Sequence, residues 1–404
     1  MWKYLILIVL LCHFQKDQAQ DESPDSGREL TYLQILTTNA FYAPLSLYAQ
    51  DENTADDWPE GLGLLPKLGK LQQYELGKFL RKRYDHFITT DPGEVDAFSS
   101  FEDRSTVSLL SLLASLYAPT EEWQFMPGFK WQPIVISYME EDDIFFNYQD
   151  VCEKYWDDLS KHMNSDPVKE ILEQDAFLYE YLRENSGNVV DDWIDVARLY
   201  DTIEKEQKAG LKVPRWARMY LQDMKRITDF AYTWHYNTTT SLQLKVGSLI
   251  DLLTVRMRVK ALPQDPSPLI KVSIYVTHDW NLAALLSVMR LSNGLRPPPC
   301  ATISFEMYRE GKEHTIRTLF FNSTHPETGV DQEPHLLILE GCTEYCPLST
   351  FVQFFHDVIP EDYNEVCGEN VESLETTDEA EGKEQSPIYP MYYKMKEITR
   401  VAQL

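Results

Sequence analysis

Residues Leu30 to Pro44 read LTYLQILTTNAFYAP. The largely apolar run from Leu30 to Leu36 predicts a buried β-strand, and Pro44 ends the tight segment that follows it. In a parallel α/β sheet, ligands bind just beyond the carboxyl ends of the strands. We therefore expect a functional site at Thr37 to Pro44, although no side chain of that segment is ionised at neutral pH.

A second predicted strand is followed by residues capable of acid–base chemistry. Lys271 to Val276 reads KVSIYV and predicts a strand, and Asn281 to Met289 predicts an apolar helix. His278 and Asp279 lie between the two. A lone His-Asp pair is more often a satisfied structural pair than a functional one. Its position at the carboxyl end of a strand makes this pair a candidate for the same site.

Arg104 stands just before an apolar helix that the sequence predicts over Ser105 to Tyr117. The dipole of a helix favours negative charge at its start, so an arginine there is unusual. One explanation is a bound anion that contacts both the arginine and the helix N-terminus. The other is a surface ion pair with Glu102 or Asp103.

The composition limits the classes of partner. A chain of 404 residues suits one large domain or two closely packed ones. A formal net charge of −27 argues against nucleic acid and anionic lipid, because both need a concentrated basic face. No motif indicates a cofactor, and the absence of paired Cys-x-x-Cys clusters disfavours a metal site.

The two ends of the chain are expected to lie outside the folded part. Residues 1–20 carry a basic residue and a short apolar run, which predict a secretory signal peptide. No later segment is apolar for long enough to predict a membrane anchor. Residues 368–404 begin with an acidic stretch without aromatic residues, which predicts a disordered tail. We expect a protein that is secreted or delivered to a lysosome-like lumen.

The part between these ends is expected to consist of an α/β fold interrupted by helices. From about Cys152 to Met257, long amphipathic runs predict helices with no clear strand among them. We interpret this region as a helical subdomain inserted into an α/β core. The predicted division is core over 28–150, helical subdomain over 151–257 and core over 258–367. Two sequons, at Asn237 and Asn322, are candidate glycosylation sites in a secreted protein.

The chain resembles the histidine acid phosphatases from end to end. Their signature, a strand followed by Arg-His-Gly-x-Arg-x-Pro, aligns with Thr38, Asn39, Ala40, Tyr42 and Pro44. Further matches are YELG and RKRY in the first long helix, WQP before the third strand, and the His-Asp pair followed by PPPC. The resemblance implies a three-layer α/β/α core with an inserted helical cap over the site.

The resemblance also implies roles for single residues. Arg104 would bind phosphate, His278 would bind the phosphoryl group, and Asp279 would protonate the leaving oxygen as general acid. Asn39 occupies the position of the nucleophilic histidine. Thr38 and Tyr42 would replace two phosphate-binding arginines, and Phe98 stands where relatives usually carry another arginine.

Five cysteines remain after the signal segment, so one thiol is left over in an oxidising compartment. The resemblance implies that Cys300 is free, because its family partner position is Lys205 here. It implies two disulfides, Cys152–Cys367 and Cys342–Cys346.

Three functions are compatible with these residues. The amide nitrogen of Asn39 cannot attack phosphorus, because its lone pair is delocalised into the carbonyl. The first hypothesis is therefore a catalytically inactive protein that binds a small-molecule ligand. The second is an active acid phosphatase that acts on phosphomonoesters and uses Arg104, His278 and Asp279, with His278 as substitute nucleophile. The third is an inert secreted glycoprotein. Histidine acid phosphatases often dimerise, but no residue here fixes the oligomeric state.

Overall fold

The computed structural model describes residues 27–139, 152–322, 325–329 and 333–367. The predicted signal segment 1–20 and the predicted tail 368–404 lie outside the described residues. The predicted boundary at 150/151 lies outside them as well. Within the described ranges, no helix is both long and apolar enough to cross a membrane.

An eight-stranded mixed sheet forms the centre of the molecule. The strands are β1 (Glu29–Thr38), β2 (Val95–Ser100), β3 (Ile136–Met139), β4 (Val272–Thr277), β5 (Thr302–Glu310), β6 (Glu313–Phe321), β7 (His335–Leu337) and β8 (Cys346–Pro347). Their order in the sheet is β3-β2-β4-β1-β5-β6-β7, with β8 paired to β6. The first four strands in that order run parallel to one another, and the pairs beyond β1 are antiparallel.

Helices cover both faces of the sheet. The helices are α1 (Lys67–Arg83), α2 (Asp103–Leu116), α3 (Glu153–Met163), α4 (Asp166–Gln174), α5 (Ala176–Ser186), α6 (Trp193–Ala209), α7 (Arg215–Trp234), α8 (Thr239–Leu242), α9 (Ser248–Lys260), α10 (Asp279–Val288), α11 (Leu348–Phe354) and α12 (Tyr363–Cys367). Helices α1 and α2 share one buried cluster with β1 and β4, and helices α9, α10 and α11 share another with β1 and β5. This confirms the predicted three-layer α/β/α fold.

Strand β1 is buried on both faces because it lies in the middle of the sheet. Tyr32 and Leu36 pack into one cluster, and Leu33 and Ile35 pack into the other. The polar Gln34 is fully buried, but its side-chain amide donates a hydrogen bond of 2.9 Å to a backbone carbonyl of α9. This bond satisfies the nitrogen of the amide, whereas the side-chain oxygen has no hydrogen-bond partner among the described residues. The strand is longer than the predicted Leu30 to Leu36.

Seven helices, α3 to α9, lie between β3 and β4, and the described residues between those strands contain no further strand. The predicted boundary at residue 257 falls inside α9, which packs against the sheet. Arg256 of α9 forms an ion pair of 2.7 Å with Asp96 of β2. The division into core and helical cap stays a prediction.

The predicted disulfides are both present, and Cys300 is free and buried. The bond between Cys152 and Cys367 joins residues 215 positions apart, at the start of α3 and the end of α12. The bond between Cys342 and Cys346 closes a small loop. Both bonds were implied by the family resemblance.

The segment after β1 packs directly on helix α1. A Cβ atom on Gly69 would lie 2.0 Å from the carbonyl oxygen of Phe41, so only glycine permits this approach. The backbone N–H of Phe41 also donates to the side chain of Gln72 at 2.9 Å. Helix α1 therefore fixes the backbone that carries Asn39 to Tyr42.

Two carboxyl groups meet where the loop after this segment contacts helix α6. Glu206 of α6 is buried, and both of its carboxyl oxygens and Asp51 Oδ2 lack a hydrogen-bond partner among the described residues. Burial, together with the neighbouring carboxyl of Asp51, raises the pKa of Glu206 to about 8. Two adjacent carboxyls without other partners are best satisfied when they share one proton.

The substitution Glu206→Gln is expected to remove a pH dependence of stability. The folded protein holds the Glu206 proton more tightly than the unfolded chain, whose pKa is near 4.5. The resulting stabilisation is complete below that pH and is lost as the pH rises through about 8. Thermal denaturation should give the variant the same melting temperature as the wild type in acid. At alkaline pH, the melting temperature of the variant should be several degrees higher.

Glu184→Gln is the matched control, because Glu184 is exposed on α5. It should shift the melting temperature little at any pH. Wild-type and Glu206→Gln curves that stay parallel from acid to alkaline pH would contradict the shared proton.

Candidate ligand-binding site

The site lies at the carboxyl ends of β1 and β4. Thr38 and Thr277 are register partners at the last positions of these parallel strands. The backbone N–H of Asn39 donates to the carbonyl of Thr277 at 3.1 Å, which places Asn39 beside His278. A cavity of about 710 Å³ opens here. Six predicted site residues line it: Thr38, Asn39, Tyr42, Arg104, His278 and Asp279.

Asn39 presents an amide at the position where the family signature has its nucleophilic histidine. The residue is buried, and its backbone carbonyl accepts a hydrogen bond of 3.1 Å from Cys300. Its side-chain oxygen has no partner among the described residues. The hydroxyl of Thr38 donates to the carbonyl of Pro298 at 3.1 Å. The segment therefore offers the cavity an amide but no cation.

Arg104 and His278 share one carboxylate, that of Glu102. One oxygen of Glu102 accepts from the Arg104 guanidinium, and the other is hydrogen-bonded to Nε2 of His278. Helix α2 begins at Asp103, two residues before the predicted start, so Arg104 lies in its first turn. Of the two explanations for Arg104, the structure contains the ion pair with Glu102.

The charge state of Glu102 follows from these two partners. Partial burial alone would raise the pKa of its carboxyl. The hydrogen bond and charge of His278, together with the charge of Arg104, outweigh that effect and lower the pKa to about 2. Glu102 is the N-cap residue of α2, yet its side chain accepts no hydrogen bond from that helix. The side chain is instead hydrogen-bonded to Arg104 and His278.

Asp279 is held by three donors. It is the first residue of α10, which begins two residues before the predicted Asn281. Its Oδ2 accepts hydrogen bonds from the Tyr232 hydroxyl at 2.7 Å and from Arg296 Nε at 2.9 Å. Its Oδ1 accepts from the backbone N–H of Trp280 at 3.0 Å. Both oxygens therefore act as acceptors.

Arg296 and Asp201 extend this network, and sequence reasoning missed them. The guanidinium of Arg296 donates to Asp201 at 2.7 Å, and Asp201 also forms an ion pair of 2.6 Å with Lys205. Burial alone would raise the pKa of Asp201, but Lys205 and Arg296 lower it to about 2. No signal in the sequence links Arg296 to Asp279, because the contact depends on how the proline-rich turn after α10 folds.

Tyr42 lies between two cations. The Lys205 ammonium is 3.3 Å from the centroid of the Tyr42 ring, and the Arg104 guanidinium carbon is 5.3 Å from it. Burial lowers the pKa of Lys205 to about 8, and Arg296 adds to this effect, although Asp201 opposes it. Sequence analysis identified Lys205 only as the absent partner of Cys300. The structure places it in the cavity, against the ring of Tyr42.

One wall of the cavity is aromatic. The rings of Tyr232 and Trp280 stack with centroids 3.6 Å apart, and His235 and Tyr236 contact the same tryptophan. Burial lowers the pKa of His235 to about 4, with a smaller contribution from the charge of Lys245. Because His235 is then neutral at neutral pH, this wall offers ring surface rather than charge.

Other candidate residues lie away from the centre of the site. Phe98 is buried in the core, stacked on Tyr275 at 5.1 Å, and does not line the cavity. Asn237 is exposed. Asn322 lines the cavity and is hydrogen-bonded to His335 at 3.1 Å. Glycosylation of both asparagines stays a prediction. No group of three or more potential metal ligands occurs within the described residues.

A three-layer sheet fold with arginine, histidine and aspartate gathered at the ends of β1 and β4 defines a histidine-phosphatase-like protein. The chain belongs to the histidine phosphatase superfamily, branch 2, whose family model matches residues 14–321. The family that the sequence motifs indicated is confirmed.

Relatives and solved structures agree with this assignment. The chain is 28% identical to the lysosomal acid phosphatase of Homo sapiens over 352 residues, 85% of this chain and 81% of the relative. It is 26% identical to the prostatic acid phosphatase of Rattus norvegicus over 354 residues, 85% of this chain and 90% of the relative. The phytase from Citrobacter braakii is similar in structure, with a TM-score of 0.62, 14% identity and coverage of 84% of this chain and 99% of the phytase. At that identity, the structural likeness shows the fold alone.

The substitution Arg296→Met is expected to destabilise the fold by about 3–5 kcal/mol at neutral pH, because it removes the cation paired with Asp279 and leaves Asp201 with Lys205 alone. The contribution of Asp201 is present above its ordinary pKa of 3.8 and is lost as the pH falls towards about 2. The difference in unfolding free energy between Arg296→Met and the wild type should therefore become smaller in acid. Urea unfolding at several pH values measures it.

Arg198→Met is the control for this prediction. Arg198 also lines the cavity, but its side chain is 77% exposed, and its one ion pair within the described residues is with Asp195 at 3.4 Å. Its loss should change the unfolding free energy by no more than about 0.5 kcal/mol. Equal effects of the two substitutions would show that the buried network is not what stabilises this end of the molecule.

Proposed function

We propose that the chain is a catalytically inactive member of its family that binds a small-molecule ligand in the cavity at the ends of β1 and β4. The observation that supports this most strongly is Asn39. Its amide occupies the nucleophile position of the family signature, beside His278, in a cavity of about 710 Å³. Loss of a nucleophile costs roughly three to six orders of magnitude in rate.

The neighbouring residues offer no replacement for the lost groups. The Thr38 hydroxyl already donates to Pro298. Burial, followed by the charges of Asp201 and Asp279, raises the pKa of Tyr42, so this phenol stays neutral. Two hydroxyls in place of two guanidinium groups also remove charge-assisted hydrogen bonds to phosphate, each worth roughly 1.5 to 3 kcal/mol. Turnover and phosphate affinity should therefore fall together.

The alternative is an active acid phosphatase with His278 as nucleophile. A nucleophilic imidazole needs a free nitrogen directed at phosphorus, but Nε2 of His278 is hydrogen-bonded to Glu102. A general acid needs a proton to donate, but both oxygens of Asp279 accept hydrogen bonds. These contacts favour the inactive protein. An inert glycoprotein is disfavoured by the large, aromatic-lined cavity.

We further propose that the protein acts in the lysosomal lumen or outside the cell. Two disulfides connect cysteines of the folded part, and such bonds persist in oxidising compartments. The relatives carry the names of lysosomal and prostatic acid phosphatases. Because the pKa of Glu206 is raised, the folded protein should also be more stable in acid than at alkaline pH.

Hydrolysis of p-nitrophenyl phosphate at acid pH tests the absence of catalysis. The wild type and the variants His278→Ala and Asp279→Asn should all release nitrophenol at the same background rate. Wild-type turnover that either variant abolishes would contradict the proposal. A thermal-shift comparison of paired phosphorylated and unphosphorylated small molecules tests binding, and no shift with any compound would favour the inert glycoprotein.

A further inference from the structure

Glu102 occupies the place between the two phosphate-binding groups that the chain retains. Arg104 and His278 both line the cavity, and each directs a nitrogen at a different oxygen of the Glu102 carboxylate. Ser100 adds a weaker hydrogen bond of 3.4 Å to the same group. The carboxylate is thus held by a guanidinium and an imidazole, the donors with which proteins bind phosphate oxygens.

The other cations at this end of the cavity are also neutralised. Lys205 is paired with Asp201 at 2.6 Å, and Arg296 is paired with Asp201 at 2.7 Å and with Asp279 at 2.9 Å. We call the end of the cavity formed by Asn39, Glu102, Arg104, Lys205, His278, Asp279 and Arg296, with Asp201, its floor. Apart from His278, the floor carries three cations and three carboxylates, and each of the three cations is paired with a carboxylate. A phosphate dianion would therefore find no guanidinium or ammonium group there without a carboxylate partner.

We infer that Glu102 is a specificity-determining residue, an internal anion that closes the phosphate subsite and restricts the cavity to ligands that bring no phosphate to its floor. The inference rests on the proposed function, since it assigns the class of ligand to the same cavity. Phosphate could reach Arg104 and His278 only by displacing a carboxylate that is covalently attached beside them. Such a tethered competitor acts at an effective concentration in the millimolar range or above.

Acidification does not release this carboxylate. Partial burial would favour its protonated form, but His278 and Arg104 keep its pKa at about 2. The subsite therefore stays closed at the pH of an acidic organelle. The groups in contact with Glu102 are the Arg104 guanidinium, the His278 imidazole and the Ser100 hydroxyl.

Calorimetric titration of the purified protein with inorganic phosphate tests the inference without any assay of activity. Glu102→Gln should bind phosphate at least about tenfold more tightly than the wild type, because Arg104 and His278 become available. Glu102→Ser should behave in the same way. Serine is also a favourable N-cap residue, so this variant should support the start of α2 even if the glutamine does not.

Two further variants locate the effect. Asp103→Asn removes the same charge from the adjacent residue, which is not the partner of Arg104 or His278, and should leave phosphate binding as in the wild type. The double variant Glu102→Ser, Arg104→Gln should lose the gained affinity.

Wild-type binding as tight as that of the Glu102 variants overturns the inference, and so does an equal gain in Asp103→Asn or a gain that survives the loss of Arg104. If the Glu102 variants gain no affinity while the wild type shows no hydrolysis, only this inference fails. If the wild type hydrolyses p-nitrophenyl phosphate, the proposed function fails first.

Discussion

The parallel pairing of β1 with β4 is the constraint on which the site depends. It aligns Thr38 with Thr277, so the residues that follow each strand, Asn39 and His278, must lie side by side. Burial of β1 on both faces fixes this register, because a slip by one residue would exchange its two apolar faces. The relative position of Asn39 and His278 is therefore set by the packing of the sheet.

Charge balance explains what has replaced the family's basic pocket. Where the signature calls for arginines, the chain has Thr38 and Tyr42, and cations from elsewhere enter the space. Lys205 lies against the Tyr42 ring, and Arg296 contacts Asp279. Each of these cations is paired with a carboxylate, so together they add ion pairs to the cavity without adding net positive charge. Buried pairs of this kind hold a shape but offer little attraction to a further anion.

The sequence predicted the frame of the site better than its electrostatics. The apolar pattern of β1 and the residues after β4 were sufficient to bring Asn39, His278 and Asp279 together, since these positions follow from strand order. The sequence identified Arg104 as a candidate site residue but did not predict its partner, because an ion pair and a bound anion give the same local sequence pattern. The roles of Lys205 and Arg296 depend on contacts between α6, the turn after α10 and α7, which no local periodicity encodes.

We propose that the site has lost phosphoryl-transfer chemistry while the chain keeps the family fold. The most direct measurement is the intact mass of the protein after brief incubation with p-nitrophenyl phosphate, quenched under alkaline conditions that preserve a phosphohistidine. We expect an unmodified mass at every time point. A phosphoryl adduct that maps to His278 would contradict it, because that histidine would then be acting as the nucleophile.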